Sequence, residues 1–168
     1  MGTLGGILTI PAFESKVAAK SRVDYENTPE GSLVRRAQAG DETAFREIVE
    51  RYQSKVFSII HGIVRQRNDV EDIAQQVFAK VYLSIKSFDF RSSLITWIYK
   101  ITVNECFDYL RKRKVRKLIE EEDPRRPLTD DQLAAMLQAQ GIQLTRRTVA
   151  KYREDMNIPS THQRRKRD

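Results

Sequence analysis

An arginine can donate two parallel hydrogen bonds to a guanine edge, and both arginine and lysine can neutralise a backbone phosphate. Such side chains are concentrated in three places along this chain. Arg146, Arg147, Lys151 and Arg153 recur within Thr145–Glu154. The run Arg111-Lys112-Arg113-Lys114-Val115-Arg116-Lys117-Leu118 holds six positive and no negative side chains, and Arg164–Arg167 adds four more. These last ten charges exceed the formal net charge of +7, so the rest of the chain is slightly acidic and the basicity is patchy. A basic patch is what neutralises a run of phosphates; a solvated helix end that complements the macrodipole is the plainer alternative for 111–118.

Other chemistry is poorly supplied. The single cysteine, Cys106, excludes an intramolecular disulfide or a cysteine-based metal site, and its apolar helical setting fits an inert core thiol. His61 and His162 lie far apart, and there is no Gly-rich phosphate loop, metal-ligand cluster or nucleophile motif. We therefore expect neither an enzyme, nor a cofactor, nor a metal. The N-terminus lacks the basic and apolar regions of a secretory signal, and no apolar run reaches the roughly 18 residues of a membrane span, so the expected location is cytoplasmic.

The elements that must position these cations read as helices. Residues 1–30 show no sustained periodicity and are expected to be a flexible arm. Gly40-Asp41 is a helix stop and restart with Asp41 as N-cap, after which Ala44, Phe45, Ile48, Val49, Tyr52, Val56, Phe57, Ile60 and Val64 recur at helical spacing. Asn68-Asp69 starts another helix, with Val70, Ile73, Ala74, Val77, Phe78, Val81 and Ile85 on its apolar stripe. Residues 87–93 read as a loop carrying Phe88 and Phe90, followed by a long helix from Leu94 into the basic run. No alternating strand pattern competes, so the expectation is an all-α bundle over 31–117.

Residues 118–128 hold four consecutive acids and two prolines and read as a linker or an entry turn, about 11 residues that reach at most roughly 40 Å. Beyond it, Thr129-Asp130-Asp131-Gln132 is a capping box that opens a helix with Leu133, Met136 and Leu137, Gly141 stops it, and Thr145 caps a second helix. This is the helix-turn-helix plan over 129–168, with Leu133, Leu137, Ile142, Leu144, Val149 and Ile158 as its small core. Arg146, Arg147, Lys151 and Arg153 are its candidate DNA contacts.

Thr145–Glu154 resembles the RpoN box of sigma-54 factors, departing at Thr145 where that family usually has Ala, and the flanks Glu122-Asp123-Pro124, Pro127–Asp130 and Ile158-Pro159-Ser160 are similar too. The resemblance implies recognition of a GG-containing minus-24 promoter element by Arg146, Arg147, Thr148, Lys151, Tyr152 and Arg153, with Tyr152 divided between core packing and backbone contact. Upstream, Asp69–Phe78, Phe88–Trp97 and Ile101–Asn104 resemble region 2 of extracytoplasmic-function sigma factors, of the sigma-70 class, with Gln76 in place of the common Glu. That resemblance implies docking on the clamp helices of core RNA polymerase through Asp69, Asp72, Gln75 and Gln76. It also implies capture of an unstacked base of a minus-ten-like element by Phe88, Phe90, Arg91, Ser92, Ser93, Thr96, Lys100 and Asn104, with Trp97 behind them as a core residue or a further contact and Arg111, Lys112 and Arg113 on nearby phosphates.

The expected partners are therefore core RNA polymerase and promoter DNA, duplex and single-stranded, with an anti-sigma factor as a further candidate. No region 4 and no activator-responsive segment is recognised, so independence from an ATPase activator is expected. Two rival readings remain: a promoter-bound regulator that does not initiate, and a module that sequesters polymerase.

Overall fold

The computed structural model describes residues 25–166, and the arm expected over 1–30 lies mostly outside them, as does Arg167. Every regular element among the described residues is helical: α1 (Pro29–Gln38), α2 (Glu42–Ile63), α3 (Val70–Ser84), α4 (Leu94–Glu120), α5 (Asp130–Ala139), α6 (Arg146–Asp155) and the short α7 (Thr161–Arg164). Single 3-10 turns at Arg67–Asp69 and Ile85–Ser87 flank α3.

The helix starts follow local chemistry. Free backbone N–H groups at a helix start need acceptors, and Thr28, Asp41, Ser93, Thr129 and Thr145 provide them at five helices. Gly40, at φ +93°, makes the turn from α1 to α2 in a conformation that disfavours side chains. Asp69 occupies the N-cap position of α3 but makes no cap bond; its carboxylate instead accepts from the Tyr109 hydroxyl of α4.

Two apolar cores result. The first gathers Leu33, Ile48, Val56, Ile60, Val77, Val81, Leu94, Ile98 and Cys106 from α1–α4. Tyr25, expected in the arm, belongs to this core, and its hydroxyl accepts from the first N–H of α4 at Leu94 (2.8 Å) and donates to Glu30. Gly31 permits this: a Cβ there would lie 2.4 Å from the Tyr25 carbonyl oxygen. The second core gathers Leu133, Leu137, Val149 and Tyr152, with Ile142, Leu144 and Leu128 packed on it. Ile158 is outside this cluster, and Met136 is exposed.

The structure differs from the expected linker. α4 runs unbroken through the basic run to Glu120, and its Val115 is fully buried in the second core beside Leu118 and Ile119. Residues 121–128 form a compact turn, the second of the two expected alternatives, rather than a spacer. Glu122 is buried against Arg164 at 2.8 Å, and the Lys166 N–H donates to the Pro124 carbonyl. Four acids and two prolines signalled a break in helix; they could not signal that the chain folds straight back onto α4.

Candidate nucleic-acid interface

The helix-turn-helix is built from α5, a turn over 140–145, and α6. Gly141 adopts φ +81°, and the Ile142 N–H closes α5 on the Leu137 carbonyl at 2.9 Å. Thr145 then accepts from the Thr148 N–H at 3.2 Å and restarts the helix. With Val149 and Tyr152 turned into the core, α6 presents Arg146, Arg147 and Lys151 to solvent. The Arg146 side chain is 72% exposed, and its 3.5 Å contact with exposed Asp131 is a weak restraint.

Two expected contacts are corrected here. Arg153 is only 9% exposed; its guanidinium grips the Asp130 carboxylate at 3.0 and 3.2 Å and donates to the Ile158 carbonyl at 2.9 Å. It ties the start of α5 to the end of α6 and is not presented to DNA. Tyr152 is buried as well, its hydroxyl donating to Asp108 of α4 at 2.8 Å. Burial and the neighbouring Asp108 carboxylate push the Tyr152 phenol up to about 12. Arg164, counted in the C-terminal basic patch, bonds Glu122 and the carbonyls of Pro159 and Leu128; Arg165 and Lys166 remain exposed.

In the bundle, the loop before α4 is pinned from two sides. Gln38 donates to the carbonyls of Ile85 and Phe88, both at 2.9 Å, and Tyr25 holds Leu94. Phe88 and Phe90 are 4% and 6% exposed, packed with Tyr25 and, for Phe88, with Trp97 at 5.3 Å between ring centroids. The expectation that Phe88 and Phe90 contact a base directly is corrected: both rings are packed into the bundle core. Phe90 sits at φ +59°, uncommon for a non-glycine residue, under the Arg35 guanidinium at 5.9 Å. Arg91, Lys100 and Asn104 are exposed on this side, with Ser92, Ser93, Thr96 and Trp97 half-buried among them.

The basic run of α4 lies between these two surfaces. Arg111, Arg113, Lys114 and Lys117 line a groove of about 720 Å³ together with Phe107 and Gln143. Lys112, expected on a phosphate, is corrected: it faces the other way and pairs with Asp155 of α6 at 2.7 Å, which holds the Asp155 carboxyl below its usual range. On α3, Asp72, Gln75 and Gln76 form an exposed stripe that continues to Tyr82 and Leu83. Asp69 is half-buried at one end of it and bound to Tyr109, whose phenol burial pushes up to about 12.

Comparison with known proteins bears on both surfaces. The Sigma-70 region 2 family profile matches residues 48–116. A solved engineered region 2 of sigmaE, in complex with GTAAAA, superposes with TM-score 0.50 at 40% identity, covering 54% of this chain and 95% of that one. The bundle belongs to the sigma-70 region 2 family.

The region 2 match extends to curated relatives. The ECF RNA polymerase sigma-E factor of Haemophilus influenzae is 44% identical over 85 residues, and the ECF RNA polymerase sigma factor SigW of Bacillus subtilis 35% identical over 81. These alignments cover 51% and 48% of this chain and 44% and 43% of the relatives, so the chain spans under half of their length. A second profile, Sigma-54, DNA binding domain, matches residues 88–166 and overlaps the region 2 match along α4.

The sequence singled out the residues displayed around the region 2 site but missed those that hold it. Tyr25 and Gln38 carry no periodic signal, since each acts through polar atoms on a loop far away in sequence. Asp108 and Asp130 were hidden for the same reason. For Val115 a signal did exist: Val115 and Leu118 are the apolar positions of the basic run, three residues apart on one helix face.

Proposed function

We propose that the chain is a sigma factor for bacterial transcription initiation, binding core RNA polymerase and promoter DNA through two modules on one long helix. The observation that carries this reading is the region 2 bundle, which covers 95% of a solved engineered region 2 of sigmaE in complex with GTAAAA at 40% identity. On this reading Asp72, Gln75 and Gln76 dock on the polymerase clamp helices, with Asp69 as a support held by Tyr109. The pocket before α4 takes an unstacked base of a minus-ten-like element. Phe88, Phe90 and Trp97 are its wall, and Arg91, Ser92, Ser93, Thr96, Lys100 and Asn104 its polar contacts. Unstacking a base costs a few kcal/mol, which such a pocket must return.

The second module reads duplex DNA with Arg146, Arg147, Thr148 and Lys151. The RpoN-box resemblance of Thr145–Glu154 and the Sigma-54 DNA binding domain match over residues 88–166 support a GG-containing minus-24-like element as its target. Arg111 and Arg113, with Lys114 and Lys117 in the groove of α4, meet the phosphates between the two elements.

Abortive transcription with purified core polymerase tests the proposal. Product from a template carrying a minus-24-like and a minus-ten-like element, and none when either is scrambled, is the expected result. No product, with duplex binding through Arg146 and Arg147 intact, would replace the sigma factor by a regulator that occupies promoters without initiating. Retained polymerase binding without DNA binding would leave a sequestering module.

A further inference from the structure

The second module is not tethered to the bundle by a string; it is bolted to it. α4 is 27 residues long without a break, which corresponds to about 40 Å at about 1.5 Å per residue. Its first turn carries Thr96 and is capped by Ser93 of the proposed base-binding loop, and its last turns enter the second core through Val115, Leu118 and Ile119. Along one face of the same helix, polar contacts fix the rotation of α6. Asp108 accepts from the Tyr152 hydroxyl at 2.8 Å, and one turn later Lys112 meets Asp155 at 2.7 Å with its ammonium 5.6 Å from the Tyr152 ring. The Glu122–Arg164 pair closes the far end. Apolar packing alone would let α6 slide over α4, whereas these directional bonds on successive turns select one setting.

We propose that α4 and its joint with α6 act as a ruler, fixing both the distance and the rotational phase between the DNA element met by the bundle and the one met by the helix-turn-helix. The chain then selects promoters by spacer length as well as by sequence. This rests on the reading that both modules touch DNA, but not on which sequence either one reads.

The lengths agree with a short spacer. Thr96 to Val115 is about 28 Å along the helix, and the body of the second module adds about 10 Å for one helix diameter. A separation of about 14 base pairs is about 48 Å, close to that strut plus the reach of two arginines. One base pair more or less moves an element by about 3.4 Å and turns it by about 35° around the duplex. A flexible linker follows such a change, but a bolted joint can follow it only by deforming the DNA or breaking its own bonds.

The test measures binding of the full chain, with core polymerase, to promoters whose spacer varies in single base-pair steps. Binding to each half-element alone is the reference. The parent should show one preferred spacer, with a fall of about tenfold for each base pair added or removed. Asp108→Ala combined with Asp155→Ala removes the polar bolts while leaving Arg146, Arg147 and the region 2 surfaces in place. It should flatten that profile to about threefold or less without weakening binding to either half-element.

A structural readout accompanies it: spin labels at Glu50→Cys and Gln138→Cys should give a narrow distance distribution in the parent and a broad one in the double variant. A flat spacer profile for the parent on promoters bound more tightly than either half-element, or a broad parental distance distribution, overturns the ruler and leaves the two-module reading standing. No spacer that binds better than a half-element overturns both. If the double variant fails to melt cooperatively, Lys112→Gln, which opens the Asp155 bolt alone, should give an intermediate profile; a profile as steep as the parent's counts against the ruler.

Discussion

The two regions proposed to meet DNA hold their side chains in opposite ways. On α6 the cations stand clear of the fold: Arg146, Arg147 and Lys151 are exposed on a short helix that rests on Val149 and Tyr152. In the loop before α4 the conspicuous side chains are turned inward, with Phe88 and Phe90 packed under Tyr25 and the backbone pinned by Gln38. A duplex offers an outer edge that a preformed helix face can meet without rearrangement. An unpaired base has two faces and an edge, and holding it takes a walled recess whose shape is fixed in advance. The difference assigns separate jobs to residues that sit side by side in sequence, some presenting and others bracing.

The sharpest division falls within α6 itself. Arg153→Ala breaks the bonds to Asp130 and Ile158 and leaves a largely buried carboxylate at the start of α5, so it should destabilise the second module by about 3 kcal/mol in denaturant titrations. Arg147→Ala should leave unfolding within about 0.5 kcal/mol of the parent. It should instead weaken duplex binding by about 2 kcal/mol, read by fluorescence anisotropy. If both variants lost binding in proportion to lost stability, or neither lost stability, the division between presenting and bracing arginines would be wrong.

The bracing of the bundle is the counterpart. Tyr25→Phe removes the hydroxyl that accepts from the first N–H of α4 and donates to Glu30, leaving the Leu94 N–H without its partner. A stability loss of about 1–2 kcal/mol is expected. The same variant should weaken capture of a single-stranded minus-ten-like probe while duplex binding by α6 stays unchanged. Equal losses on both probes would show that the two regions are not separately braced.

How much of this could be read from sequence follows from the range of each interaction. Helix starts were legible because their chemistry is local: Asp41, the Thr129–Gln132 box and Thr145 each act within three residues. The apolar stripes of α2 and α3 were legible from periodicity, and with them the bundle. Arg153 was not, because nothing in its own helix distinguishes an outward arginine from one whose partner, Asp130, lies 23 residues earlier. Phe88 and Phe90 were expected to contact a base only because the region 2 resemblance implied it. They are buried because Tyr25, 69 residues before the helix start it holds, closes over them. The segment 121–128 could be read as a linker or an entry turn because acids and prolines break helices, and the choice was not legible because the partner of Glu122, Arg164, lies 42 residues further on.

The smallest effect expected separates the joint from the bundle by pH. Each region anchors one tyrosine on a carboxylate across α4: Tyr109 on Asp69 within the bundle, Tyr152 on Asp108 at the joint. Burial raises both phenols to about 12, above the unfolded value of about 10. Since the folded state holds these protons more tightly, their contribution is fully present below about pH 10 and is lost as the pH climbs towards 12. Melting temperatures measured from pH 9 to 11 should therefore fall with rising pH in the parent. Tyr152→Phe and Tyr109→Phe should each flatten the decline, because the substituted ring has no proton to release. Spin-label distances between the modules give the finer reading: the folded parent still holds the Tyr152 proton at pH 11, so its distribution should stay narrow there, whereas Tyr152→Phe, which lacks the hydroxyl bond to Asp108, should be somewhat broader at every pH. Parallel pH declines for the parent and both variants would mean that neither phenol titrates with unfolding, and the joint would then owe its setting to Val115 and its apolar neighbours alone.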